Sequence, residues 1–243
     1  YTSLDLTAQQ VAYNELNNRR GAVVAVNLEN GAILSYVSSP SFSVNDITNG
    51  LSQKEFNKLL NDNDKPFFDR AGQGRYSPAS TIKPAIGLFG LEKDLIDWQY
   101  TIDDIGFFVL PEDGRIYRGW RKDGHGIINL QDAIIESSNT FFFSLAYQTE
   151  VNELIEYLSN FGFGKNICLD CFYPDIGLLP NPTWKMNTHN FGWFKGDTVN
   201  LGVGQGYLSA TPLQLAYYSS FLANKGSLNN FSFVQNNKDV IRN

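Results

Sequence analysis

Cysteine is nearly absent: Cys168 and Cys171 are the only two in 243 residues, so neither a disulfide framework nor a four-cysteine zinc site is available. Their Cys-Leu-Asp-Cys spacing is that of a redox pair, but such pairs favour a helix N-terminus after a strand. The flanks Ile167 and Phe172-Tyr173-Pro174 do not resemble one. Two small, partly buried residues or an incidental disulfide are the plainer readings. No apolar run of about 18 residues occurs, so no segment reads as a transmembrane helix. No signal peptide is visible either, and the opening Tyr1-Thr2-Ser3-Leu4-Asp5 reads as the interior of something longer. A lysine- and arginine-rich stretch is also lacking. With 19 basic against 25 acidic residues and a net charge of −6, a nucleic-acid binder held by phosphate contacts is disfavoured. The carboxylates show no ligand spacing and no glycosidase-like pair, and no internal repeat or low-complexity tract is present.

What remains is a core-forming composition, 42% hydrophobic with 14% aromatic and 18% charged residues, which excludes general disorder. Apolar spacing predicts a helix over Leu6–Leu16. Gly21–Asn27 and Ala32–Val37, joined through Asn30-Gly31, predict an antiparallel hairpin that needs more sheet and a helical layer to cover it. Residues 41–75 read as broken and polar apart from a short helix near Gln53–Leu60. Further helices are expected from Ser80 to Glu92, from Leu130 to Glu136 after an Asn129 cap, after Asn139, over Val151–Phe161, and from Thr211-Pro212 to a glycine stop at Gly226. Residues 98–128 and 162–196 read as loops, and only Phe231–Val234 and Val240-Ile241 look strand-like after the last helix. One hairpin with roughly six helices makes an α+β domain whose C-terminal strands are missing from the chain.

Ser80 and Lys83 stand one helical turn apart, so a lysine kept neutral by burial can take the serine proton. Such a pair arises easily by chance and is weak alone. Ser137, Ser138 and Asn139 fall between two predicted helices, either as caps or as a relay hydroxyl and a substrate-binding amide projecting from a loop. Gly204, Gln205 and Gly206 precede the Thr211-Pro212 helix start and suggest a backbone passing close to something. No lysine-serine or lysine-threonine follows, so this is not a phosphate loop. His125, between glycines, reads as structural more readily than as an acid–base group, and His189 as a surface residue.

Taken together, these pieces resemble the penicilloyl-serine transferases, and more narrowly the class B penicillin-binding proteins. Ser80-Thr81-Ile82-Lys83 is similar to the first motif, with Ala79 where a glycine is usual. Ser137-Ser138-Asn139 is similar to the second, 57 residues on (137 − 80). Gly204-Gln205-Gly206 with Ala210-Thr211-Pro212-Leu213-Gln214 resembles the segment ahead of the third. Ser3-Leu4-Asp5, the hairpin, and Ser39-Pro40-Ser41-Phe42 with Asn45 resemble the start of the same domain. The block Tyr117–Gly126 is most similar to elongation-type members.

The resemblance implies a β-lactamase/transpeptidase-like fold, with an antiparallel sheet packed between helical regions and residues 1–243 forming a transpeptidase domain incomplete at its C-terminal side. It implies a peptidoglycan D,D-transpeptidase in lateral-wall elongation, inhibited covalently by β-lactams. Ser80 would be the nucleophile, Lys83 the base, Ser137 the relay and Asn139 a binder of substrate and Lys83. Ala79, Ser138, Gly204, Gln205 and Gly206 would line the substrate, and the Ser80 N–H would be half of the oxyanion hole. Implied partners are stem peptides, β-lactams and, through regions outside these residues, a membrane glycan polymerase and the elongation machinery. The implied location is the bacterial inner membrane, held by one N-terminal anchor below a pedestal, with the catalytic domain in the periplasm. No cofactor or metal is expected: some relatives hold a structural zinc ahead of the second motif, but no cysteine lies between Ser80 and Ser137. The third motif, Lys-Ser/Thr-Gly, occurs nowhere in the sequence. Either the sequence stops short of it, or the protein lost it and serves as a non-catalytic scaffold, or processing removed it. A β-lactamase or β-lactam sensor is the other alternative.

Overall fold

A computed structural model describes residues 1–227 and 229–234. In chain order the elements are α1 (Leu6–Leu16), β1 (Gly21–Val26), β2 (Ile33–Ser39), α2 (Val44–Thr48), α3 (Gln53–Leu60), a 3₁₀ turn (Ala79–Ile82) and α4 (Lys83–Glu92). They continue with β3 (Thr101–Asp104), β4 (Phe107–Val109), β5 (Ile116–Arg118), β6 (Gly126–Asn129), α5 (Leu130–Ile135) and α6 (Asn139–Tyr147). The last are α7 (Val151–Asn160), α8 (Pro182–His189), α9 (Lys195–Leu201) and α10 (Pro212–Ala223). The chain divides into two units, one of residues 1–76, 161–177 and 210 onward, the other of residues 77–160 and 178–209.

The first unit is built on the expected hairpin. β1 and β2 pair antiparallel from Gly21 opposite Ser39 to Val26 opposite Ile33, with a register shift at Ala25/Val26. Alternation sends Val23 and Ala25 to the α1 side and Ala22, Val24 and Val26 to the α10 side, so the sheet lies between two helices. Asp5 caps α1 through Thr7 and Ala8 N–H. Thr211 and Gln214 form a reciprocal capping box on α10, with Pro212 at its start. Ile33, Ile167, Cys168, Leu213 and Phe231 make the buried centre. Phe231–Val234, expected as a strand, instead forms isolated bridges to Cys168, Ala32 and Thr2. Val240-Ile241 lie outside the described residues. Cys168 and Cys171 are disulfide-bonded.

The second unit packs around α6, where Phe141, Phe142, Phe143, Leu145 and Ala146 are all buried. Glycine makes the close approaches possible. A Cβ at Gly202 would stand 2.3 Å from that of Ala146, and one at Gly87 would meet Leu130 at 2.8 Å. Two expected loops proved structured. Residues 98–128 hold β3, β4 and β5, and β6 follows at 126, forming two antiparallel pairs, β3–β6 and β4–β5. These strands carry β-branched and aromatic residues but are only three or four residues long, too short to show a period-two pattern, and β3 ends in two aspartates. Residues 162–196 contain α8 and the start of α9. Within them Pro182 is the first residue of a helix capped by Asn181. α2 also went unread, and the described residues contain ten α-helices instead of six.

In the first unit, Gln214 is 1% exposed, and its side-chain amide donates to the carbonyls of Gly162, Lys165 and Ile176. Gln214→Leu keeps the volume but orphans those acceptors. It should cost about 2–4 kcal/mol in urea unfolding, and a loss below about 0.5 kcal/mol would show that the acceptors find other donors.

Candidate functional site

The second unit contains all the residues expected at a site. Its first component is the turn carrying Ser80, which enters α4 through a 3₁₀ turn rather than as a regular helix from Ser80; α-geometry begins only at Lys83, with Pro84 in the first turn. Ala79 sits at φ +47°, a left-handed conformation that a β-carbon disfavours. The neighbouring loop holds it there. The Ala79 N–H donates to Gly204 O at 2.9 Å, and the Ser77 hydroxyl donates to the same oxygen. Gly204 has φ +67°, and a Cβ on it would lie 2.2 Å from the Ala79 carbonyl oxygen, so only glycine fits. Gly204 is thus buried beneath the turn, while Gln205 and Gly206 are exposed. Ser80 is exposed at the start of the helix, in the positive end of its dipole.

Lys83 is the second component. It is 2% exposed, an unusual position for a lysine, and no carboxylate pairs with it among the described residues. Its Nζ lies 2.7 Å from the Ser137 carbonyl oxygen, 3.1 Å from Ser137 Oγ and 2.7 Å from Asn139 Oδ1, with the Phe142 ring centroid at 5.5 Å. Burial lowers its pKa from the ordinary 10.5 to about 8. In the neutral amine two N–H bonds satisfy the Ser137 and Asn139 oxygens, which leaves the lone pair for a hydroxyl proton. No hydrogen bond joins Ser80 to Lys83 among the described residues; Lys83 is held by Ser137 and by Asn139, the residue that the resemblance implied would bind it.

That motif is the loop between α5 and α6. Asn129 and Asp132 cap α5 reciprocally, and Ser138 caps α6 by accepting from Phe141 N–H. Ser137 between the helices is left-handed at φ +52°. Ser138 is wholly buried and its hydroxyl donates to Asp104 Oδ2 at 2.7 Å, so the substrate contact expected of it finds no exposed hydroxyl. Asp104 went unread in the sequence. Its signal was turn chemistry, since its carboxylate accepts from the N–H of Gly106 two residues on. His125 is buried against that carboxylate, with Nδ1 at 2.7 Å from Oδ2. His189 is exposed and stacks with Trp184 and Tyr207.

A four-ligand zinc site does not fit these residues. Among those described, no third carboxylate, thiolate or imidazole joins Asp104 and His125. The one ligand-like trio, Cys168, Asp170 and Cys171, has its sulfurs in a disulfide.

The family model described as the penicillin binding protein transpeptidase domain matches residues 21–243. The peptidoglycan D,D-transpeptidase MrdA of Acinetobacter baumannii is 44% identical over 227 residues, 93% of this chain and 34% of that protein. The crystal structure of Pseudomonas aeruginosa PBP2 in complex with WCK 5153 superposes with a TM-score of 0.92 at 37% identity, over 97% of this chain and 53% of that one. The Helicobacter pylori PBP2 in its complex with MreC gives 0.91 at 34% identity, over 97% and 44%. The chain therefore spans about a third of the curated relative's length.

Left-handed Ala79 implies stored strain. Ala79→Gly should raise stability by about 1 kcal/mol, whereas Gly204→Ala should lower it severely. Urea unfolding of the two variants checks this, and an Ala79→Gly protein less stable than its parent would refute the strain assignment.

Proposed function

The chain belongs to the penicillin-binding protein transpeptidase domain family, and from that premise we propose that its parent protein is a serine D,D-transpeptidase cross-linking peptidoglycan. The carrying observation is the buried Lys83, hydrogen-bonded to Ser137 and Asn139, three residues after an exposed Ser80.

Ser80 Oγ attacks the carbonyl between the two terminal D-alanines of a stem peptide while Lys83 takes its proton. Ser137, hydrogen-bonded to Lys83, passes a proton to the leaving amine, the C–N bond breaks and D-alanine departs. The resulting acyl-serine ester is attacked by the amine of a neighbouring stem peptide; the ester C–O bond breaks and the proton returns to Ser80. Asn139 holds the lysine through Oδ1, leaving its amide N–H₂ for a substrate carbonyl. The Ser80 N–H is one oxyanion donor, and the second would come from the third-motif strand. A β-lactam follows the first half only, because its ring amine stays tethered in the acyl-enzyme and blocks the second attack.

The wider setting is proposed on the same footing. Similarity to MrdA and to a PBP2 in complex with MreC supports a role in lateral-wall elongation, with a membrane glycan polymerase as working partner. No helix of the described residues is long and apolar enough to cross a membrane. The Cys168–Cys171 disulfide suits an oxidising compartment, in keeping with a periplasmic domain on a membrane-anchored parent.

Intact mass after exposure to benzylpenicillin should show one stable penicilloyl adduct, lost in Ser80→Ala. Rapid turnover would point to a β-lactamase, and no adduct in the full-length protein to a scaffold. The acylation rate should be low where Lys83 is charged, rise with pH through a midpoint near about 8, and level off above it. Lys83→Arg, permanently charged, should lose at least about 100-fold. A pH-independent rate would exclude Lys83 as the base.

A further inference from the structure

Ser138, between the two residues that hold Lys83, raises a question that helix capping does not answer. A cap needs only an acceptor, which its hydroxyl supplies to Phe141 N–H. The proton of that hydroxyl goes to a buried carboxylate, Asp104, whose side chain is 2% exposed. Burying a carboxylate is costly unless it is fully hydrogen-bonded. Asp104 meets that demand: Oδ2 accepts from Ser138 Oγ and His125 Nδ1, each at 2.7 Å, and Oδ1 accepts from Gly106 N–H at 2.8 Å. Burial pushes its pKa up, but the bonds from Ser138, His125 and Gly106 outweigh this and hold the carboxyl below its usual value.

The strands keep this pair in register. Asp104 ends β3, His125 immediately precedes β6, and Asp104 pairs with Gly126 across them. His125 N–H donates to Asp104 O at 2.9 Å. Gly124, at φ +68°, lets the turn approach so closely that a Cβ there would stand 1.8 Å from that oxygen. The Trp120 ring packs edge-on against His125, and its indole N–H donates to Glu136 O, the residue before Ser137. The end of β3 and the segment leading into β6 therefore grip the second-motif loop on both sides of Ser137. That residue is left-handed without being glycine, a conformation that persists only when its surroundings impose it.

We propose that Asp104 and His125 are a positioning pair for the proposed reaction: through Ser138 they impose the conformation of Ser137 and Asn139 that holds Lys83 in working geometry. This rests on the reading that Ser80 is acylated with Lys83 as base. Neither residue touches Lys83, which faces Ser137, Asn139 and the Phe142 ring. Loss of either loosens the loop, admits water to the ammonium and moves Lys83 toward an ordinary, more strongly protonated lysine.

The test is the pH dependence of the acylation rate constant of the full-length protein with a fluorescent penicillin, alongside thermal melting. Asp104→Asn leaves the oxygen pair one acceptor short. His125→Ala removes a donor, while His125→Asn places an amide N–H₂ where Nδ1 stood. Asp104→Asn and His125→Ala should lower the rate constant at neutral pH by at least about tenfold and shift the profile to higher pH, still ending at one acyl group per protein. His125→Asn should return the profile toward the parent's. Profiles that superpose on the parent's, with only the melting temperature lowered, would reduce the pair to structural support and overturn the proposal. Should Asp104→Asn fail to fold, the two His125 variants decide alone. A parent protein that is not acylated would sink the underlying reading, and the proposal with it; a parent acylated normally with unshifted variants sinks the proposal only.

Discussion

Everything proposed for this protein depends on one buried amine. A lysine 2% exposed and without a carboxylate partner among the described residues is tolerated only because three oxygen atoms receive it, all from residues 137 and 139. Burial without a counter-charge is what lowers the pKa of Lys83, and it does so without locking the proton in an ion pair. A salt bridge in the same place would have fixed the ammonium and removed the base. Lys185, also buried, shows the alternative: its Nζ is paired with the Asp197 carboxylate.

The backbone around this amine is held away from its relaxed state at two points, Ala79 and Ser137, both left-handed and neither glycine. Each is held by an element that has no role in bond making. Under Ala79 it is the 204 loop, where a glycine permits contact with the turn backbone. Beside Ser137 it is the β3–β6 pair acting through Asp104 and Ser138. Strain of this kind, about 1–3 kcal/mol per residue, is tolerable when the surrounding packing over-determines it, and α6 with its row of buried phenylalanines provides that packing.

The sequence carried the long elements and the motif spacing well. α1, the hairpin, α3, α5, α6, α7 and α10 could be read because periodicity, capping residues and turn residues agree with one another there. It concealed the short strands, where pairing rather than local preference decides the outcome, whereas α8 carried a local signal, the Asn181 cap followed by Pro182, that went unread. Ser80, Lys83, Ser137 and Asn139 were legible only as a set, since each is unremarkable alone. The resemblance implied that Asn139 would bind Lys83; that Ser137 would hold it too, through carbonyl and hydroxyl, depends on how a loop 54 residues away is folded, which spacing cannot encode. Asp104 was hidden for the same reason: its significance lies in burial and in partners 21 and 34 residues distant.

The most direct test is the protonation state of Lys83 itself, followed by NMR of the side-chain Cε and Nζ of specifically labelled lysine, assigned with Lys83→Arg. Titration near about 8 is the predicted result. A midpoint at the ordinary lysine value of 10.5 would contradict it, because the amine would then be charged when Ser80 is required to lose its proton.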